Sequence, residues 1–466
     1  MSDSATVKLA AGIDIGTTSI SIILSSIETG ETVKLVTTMN TTVISSKRNW
    51  EKQQNPDQIA AMVVNLIQDC SEVWQQVAAI GISNQMHGVL YIDRSGNAVS
   101  PLYTWQDGRG DLPMTASVTY AESLGEFWGQ PIATGYGLVT HYFNVLNDGL
   151  SADCYKLCTI GDYVAMKLCG LNEPIMDATH AAAIGFFSAE THSFEFDRLE
   201  SAALDATILP ELAGKDGLVG YTPDGKPVIC AIGDNQASFL GSVPRLSDSV
   251  LLNIGTGAQI SAYSDRWLKA DGLETRPFPG GGYLLVGASL SGGKSYALLK
   301  SFFQETVRAF GTLAEDELYS EMNRLAEAAL DSGVPPLRFD TRFYGTRIDP
   351  AAAGGINGLL ASNFTPGHFA AGILNGVADE LMDFIQLAPP QLSSVWTNAV
   401  GSGNGIRKNG VMQRLLRERL SLPLRLSGAA EEAAFGAAIY SAARANLFTD
   451  LDAAIAVMHR GECQDV

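Results

Sequence analysis

Three short constellations in this 466-residue chain carry residue types suited to phosphate and proton chemistry. In Asp14-Ile-Gly-Thr-Thr-Ser19, Gly16 permits a tight turn. The turn's N–H groups, with the hydroxyls of Thr17, Thr18 and Ser19, can cradle phosphate oxygens. Asp14, at the end of an apolar strand, can hold a hydrated Mg²⁺ beside them. An ordinary hairpin turn with an Asx hydrogen bond is the bland alternative. The turn recurs as Gly255-Thr256-Gly257 about half a chain-length later, and phosphate binding between two domains needs one turn from each. Gly233-Asp234-Asn235-Gln236 follows the apolar run 228–232, where a carboxylate can accept a proton from a hydroxyl. Asp and Asn are equally good helix caps there. Gly401-Ser402-Gly403-Asn404 closes the apolar stretch 395–400, and its small residues let a flat base lie against the backbone. A plain turn would use them as well. Ser291-Gly-Gly-Lys294-Ser295 invites a P-loop reading, but Ala288 stands where the first glycine is required, so that reading is rejected.

The elements that must position these residues follow from pattern. The opening reads as strand, tight turn, strand, then a third strand over 31–39, broken by Gly and polar turns. A helix is predicted over 56–75, from apolar residues at Ile59, Met62, Val63, Leu66 and Ile67, with a buried strand over 77–83. The run 249–264 repeats the opening, so two domains sharing one ancestral unit are expected, 1–242 and 243–466. Helices are expected over 313–329, 367–384 and 410–420, and an Ala-rich helix over 431–445 that packs closely on a sheet.

Composition limits the function classes. Hydrophobic residues at 46% and charged residues at 17% fit a packed globule of about two domains. A net charge of −19 argues against a nucleic-acid partner, which needs a broad basic face. The six cysteines form no C-x-x-C pair, which points to free thiols in a reducing compartment. Neither a signal peptide nor a membrane span is expected, and the expected location is cytoplasmic.

Taken together and in order, these segments resemble the FGGY carbohydrate kinases over roughly residues 10 to 445. Further segments are similar to sedoheptulokinases in particular: Ser83-Asn-Gln-Met-His-Gly88, Thr104-Trp-Gln-Asp-Gly-Arg109, Gly161-Asp-Tyr163, Ala288-Ser-Leu-Ser-Gly-Gly293 and Arg407-Lys-Asn409. The resemblance implies an α/β, two-domain actin-like ATPase (ribonuclease H-like) fold with an interdomain active-site cleft, and ATP-dependent phosphorylation of a ketose such as sedoheptulose. It implies that Asp234 is the general base and Asp14 the metal-associated aspartate. Gln85, Met86, His87, Trp105, Asp107, Arg109 and Asn235 fall on the sugar side. Gly16 to Ser19 and Gly255 to Gly257 fall on the phosphates, and Gly401, Ser402, Gly403, Asn404 and Asn409 on the adenosine. His87 alone reads more simply as a structural histidine, and Trp105 could offer an apolar face to the ketose or equally pack in the core. Gly345-Thr346-Arg347 departs from the family's Gly-Glu-Arg, so that glutamate's hydrogen bonds are lost. ATP, Mg²⁺ and a ketose are the expected partners, and a homodimer stays open. A pentulose kinase and a non-catalytic actin-like module are the alternatives.

Overall fold

The computed structural model describes residues 7–310, 318–346, 349, 351–460 and 463–465. The chain divides into two compact units. One holds Met1–Arg245, Arg276–Tyr283 and Ala429–Glu462; the other holds Leu246–Thr275, Leu284–Gly428 and Cys463–Val466.

In the first unit, strands Leu9–Ile15, Ser19–Ser26 and Thr32–Met39 run antiparallel as an opening meander. Strand Val77–Asn84 then joins Leu9–Ile15 in parallel. Strands Pro227–Ile229 and Ile232–Gly233 pair in parallel with Val77–Asn84, completing a seven-stranded sheet with Leu218–Tyr221. The central strands are apolar almost throughout because both faces are covered, whereas Thr32–Met39 alternates in burial as the edge strand. The helix expected over 56–75 runs Pro56–Asp69, with a further turn at Ser71–Trp74. Asn55 starts it by accepting the Gln58 N–H, and Pro56 occupies the first turn, where no backbone donor is needed. A second apolar cluster, around Tyr91, Phe186 and Trp128, carries the rest of this unit.

The second unit repeats the opening. Strands Ser249–Ile254 and Ala258–Ser264 are antiparallel, and Asn398–Ser402 joins Ser249–Ile254 in parallel. The correspondence extends to single residues. Asp14 stands opposite Ser83 across its parallel pair, and Asn253 stands opposite Ser402 across the other. Helices Pro366–Leu387 and Gly410–Arg419 cover the hydrophobic core of this sheet. The helix expected from 313 is described only over Leu318–Asp331; residues 313–317 lie outside the described residues.

A single break after residue 242 does not describe the spatial grouping, because Ala429–Glu462 belongs with the first unit. The Ala-rich helix Glu432–Arg444 lies so close to the first unit's sheet that a Cβ on Gly12 would stand 1.8 Å from the Ala434 carbonyl oxygen. It also crosses helix Asp234–Ser242 at paired glycines. A Cβ on Gly436 would meet the Ala237 carbonyl at 1.8 Å, and one on Gly241 the Glu432 carbonyl at 1.9 Å. This backbone-on-backbone crossing fixes the helix that begins at Asp234.

Candidate active site

In the first unit the chemistry-bearing residues gather at the C-terminal ends of adjacent parallel strands, where ligands bind in open α/β sheets. Leu9–Ile15 delivers Asp14, Val77–Asn84 delivers the Gln85-Met86-His87 loop, and Ile232–Gly233 delivers Asp234. Asp234 is the first residue of its helix and Gly233 is the cap, so Asp234's side chain is not used as a cap. Met86 lies against Gly233, its thioether 2.9 Å from where a Cβ would stand, which joins the Gln85-Met86-His87 loop to the strand end before Asp234. The Gly233 N–H donates to Thr179 Oγ1 at 3.1 Å.

Asp14 and Asp234 are both partly buried. Burial pushes the Asp14 carboxyl from the ordinary 3.8 to about 7. The Asp234 and Glu431 charges add to that rise, against a hydrogen bond from Ser83 Oγ at 2.8 Å. Burial likewise pushes Asp234 up to about 6, opposed by the Asn235 backbone N–H and the Arg276 guanidinium. Two carboxyls raised this way, one by the other's charge, are a pairing expected of acid–base or cation-binding groups.

His87 has a left-handed backbone, φ 73°, a conformation costly for a non-glycine residue and frequent at functional sites. Its Nδ1 bonds the Ala183 carbonyl at 2.7 Å, and its ring lies 4.4 Å from that of Tyr136. Asn84 donates to the Gln85 carbonyl at 2.8 Å and so steadies the loop. Trp105 is 47% exposed, its indole a surface rather than a core element.

Other expected sugar-side residues are turned inward. Asp107 and Arg109 are 0% and 4% exposed and pair with each other at 2.7 Å. Asp107 also accepts the Lys52 N–H, and the Arg109 guanidinium lies 4.1 Å from the Tyr103 ring centre. Their polar atoms brace the segment that carries Trp105. Gln85 is 2% exposed, with both amide atoms bonded within the protein. In Gly161-Asp-Tyr163, Asp162 completes a capping box with Thr159, and Tyr163 bonds Asp57. That motif is architectural.

The second unit's turn is built differently from a P-loop. The N–H groups of Gly293 and Lys294, opening helix Gly293–Phe310, donate to the carbonyls of Gly255 and Thr256 at 3.1 and 2.9 Å. The Ser-Gly-Gly-Lys segment thus props the Gly255–Gly257 turn, a role the sequence did not reveal. Asn253 Nδ2 donates to Ser402 Oγ at 2.7 Å, the counterpart of the Ser83–Asp14 bond. Ser402 is 1% exposed and so holds the strand end, while Asn404 is exposed. Gly403 has φ 78°, and a Cβ there would meet the Ile254 carbonyl at 2.5 Å. Asn409 caps helix Gly410–Arg419 through its bond with the Met412 N–H, so its side chain is committed.

Gly345 and Thr346 line a cavity of about 670 Å³ in the same unit, with Thr341, Arg342, Glu380 and Phe384. Thr346 Oγ1 is occupied by the Asp349 N–H; Arg347 lies outside the described residues.

Residues 9–241 match the N-terminal domain of the FGGY family of carbohydrate kinases, and residues 251–445 match its C-terminal domain. The chain belongs to the FGGY family of carbohydrate kinases. Mouse (Mus musculus) sedoheptulokinase is 28% identical over 470 residues, covering 92% of this chain and 96% of that protein. The gluconate kinase of Lactobacillus acidophilus superposes with a TM-score of 0.80 at 19% identity, covering 99% of this chain and 93% of that one. The xylulose kinase of Rhodospirillum rubrum does so with 0.80 at 20% identity, covering 98% and 93%. These likenesses give the chain the two-domain, actin-like α/β fold.

This kinase has site residues that sequence reasoning missed. Arg276 lies beside Asp234 and donates to Asn235 Oδ1 at 3.3 Å, and Gln236 fastens the neighbouring Pro277 carbonyl at 3.1 Å. Glu431 acts on Asp14 from the far end of the sequence. No local pattern marks either residue, because only the folded chain brings them to the aspartates. Cys70, Cys154, Cys158, Cys169 and Cys230 are free thiols, and among the described residues no helix is long and apolar enough to cross a membrane.

Proposed function

We propose that this kinase transfers the γ-phosphoryl group of ATP to a terminal hydroxyl of sedoheptulose, giving sedoheptulose 7-phosphate and ADP. The observation that carries the mechanism is the partly buried Asp234 carboxyl, whose charge acts on Asp14 from a strand end on the other side of Val77–Asn84. The choice of sugar is supported by the similarity to mouse sedoheptulokinase along nearly the whole chain.

Asp234 orients the attacking hydroxyl and accepts its proton as the new P–O bond forms and the bond to ADP breaks. Phosphoryl transfer of this kind passes through a loose transition state, so positioning matters more than basicity. Asn235, held by Arg276, steadies the sugar next to the base, and Met86, His87 and Trp105 form its apolar and hydrogen-bonding wall. The main-chain N–H groups of Gly16–Ser19 and Gly255–Gly257 hold phosphate oxygens. Asp14 fits a divalent cation: its carboxylate is destabilised by two neighbouring negative charges, which a cation offsets. When bound near Asp14, Mg²⁺ supplies neutralising charge for the β- and γ-phosphate oxygens.

The test is ADP release with Mg-ATP against sedoheptulose, xylulose, ribulose, fructose and glycerol. Highest kcat/KM on sedoheptulose supports the reading. A pentulose preference keeps the chemistry and changes the sugar. Binding of ATP without turnover of any sugar would leave a non-catalytic module instead.

A further inference from the structure

Hydrogen bonds join the phosphate turn to the sugar loop in a closed ring. Thr17 Oγ1 donates to Gln85 Oε1 at 3.0 Å, Gln85 Nε2 donates to Gln54 Oε1 at 2.9 Å, and Gln54 Nε2 returns to the Thr17 carbonyl at 2.9 Å. Gln54 and Gln85 are 1% and 2% exposed, so water does not compete for them. The ring has a fixed sense. The Thr17 carbonyl can only accept, which sets the Gln54 amide, which in turn sets Gln85 and commits the Thr17 hydroxyl proton. The Thr17 oxygen is left to accept, and it does so from the Trp105 indole N–H at 3.1 Å. Trp105 is therefore the half-exposed member of a network whose two glutamines are enclosed and whose partly buried Thr17 lies on the phosphate turn.

We propose that this ring couples occupancy of the sugar site to the phosphate turn, with Thr17 and Gln54 acting as positioning residues. A sugar resting on Trp105 fixes the indole, the indole fixes Thr17, and Thr17 sets the turn's N–H groups for the nucleotide phosphates. The hydroxyl of Thr17 on this account is not itself a phosphate ligand. Gln54 touches neither substrate; it holds the other end of the ring. The inference rests on the sugar-kinase reading above, because it needs a sugar at Trp105 and phosphates at Gly16–Ser19. It goes further in naming how one site informs the other, and coupling of this kind is reciprocal.

The experiment measures the Kd of Mg-ADP by calorimetry, with and without saturating amounts of the ketose that the wild-type enzyme phosphorylates fastest. In the wild type the sugar should tighten the nucleotide about fivefold or more, the lower end of ordinary coupling between sites. Thr17→Val removes the hydroxyl at nearly constant shape, Trp105→Phe removes the indole donor while keeping a smaller aromatic face, and Gln54→Met opens the ring. Each should reduce the sugar effect to under about twofold, Gln54→Met with sugar-free nucleotide affinity little changed, and Thr17→Ser should keep the wild-type sugar effect. Thermal melts show whether Gln54→Met folds; Thr17→Val and Trp105→Phe decide the matter if it does not. Weakening of nucleotide by Thr17→Val to the same extent with and without sugar would make the hydroxyl a phosphate ligand and overturn the proposal. Wild-type coupling retained in these variants, or absent from an active wild type, would overturn it too. A wild type that phosphorylates no ketose refutes the sugar-kinase reading itself, and is distinguished by the unmutated enzyme's own inactivity.

Discussion

Replacing Asp234 by Asn should inactivate this kinase and stabilise it at the same time. Asn keeps the shape of the side chain and can still accept the Asn235 backbone N–H, but has neither charge nor basicity. Folding moves the Asp234 carboxyl from 3.8 to about 6, mainly through burial. A carboxyl raised in the folded state stabilises most below pH 3.8, and that contribution is lost as pH climbs through about 6. At pH 7.5 the ionised group is therefore a net cost, about 3 kcal/mol at roughly 1.4 kcal/mol per pH unit. Its repulsion of Asp14 is shared between the two groups, so removing one carboxylate should return about 1 to 3 kcal/mol. The melting temperature should rise by several degrees at pH 7.5, given about 2–4 °C per kcal/mol for domains of this size. Near pH 4 variant and wild type should melt together. Turnover should fall about 10²- to 10⁴-fold, the usual worth of a general base, while nucleotide still binds. Scanning calorimetry at both pH values and a coupled ADP-release assay read the two effects. Turnover within tenfold of wild type, or a lower melting temperature at pH 7.5, would refute the reasoning.

Other outcomes follow from the same geometry. In the free enzyme, kcat/KM for the sugar should fall as pH drops below about 6, because the base must be ionised. Arg276→Gln should move that fall to higher pH, since the guanidinium opposes the rise in the Asp234 pKa; an unmoved profile separates Arg276 from the base. Gly436→Ala places a methyl against the Ala237 carbonyl and should cost roughly 2 kcal/mol or more in a denaturant titration, with reduced turnover as the Asp234 helix shifts. Arg109→Met strands the buried Asp107 carboxylate and should cost about 3–5 kcal/mol by the same titration, whereas an effect confined to sugar KM would make Arg109 a substrate contact.

The fold and the two turns were legible because strand–turn–strand patterns repeat with Asp14 and Asn253 in equivalent places, and a strand end followed by Asp is a local signal. Side-chain commitments were not legible. Asp107, Arg109 and Gln85 look like binding residues in one dimension, yet Arg109 folds back onto Asp107, and Gln85 meets Gln54 across 31 positions. Asn409 is expected at the adenosine, and only the helix that starts beside it shows that its side chain serves as a cap. The return of Ala429–Glu462 to the first unit depends on glycines at 12, 81, 241 and 436 matching across sheet and helix, a correspondence that periodicity cannot express.

The most direct test of the central claim puts sedoheptulose and xylulose at equal concentration in one vessel with limiting Mg-ATP. The two sugar phosphates are then counted by mass spectrometry, and their ratio is the ratio of kcat/KM for the two sugars. The account predicts heptulose phosphate in clear excess from the wild type, and from Asp234→Asn either product formed at least about 100-fold more slowly. Excess pentulose phosphate from the wild type, or product from the variant within about tenfold of the wild-type rate, would contradict it.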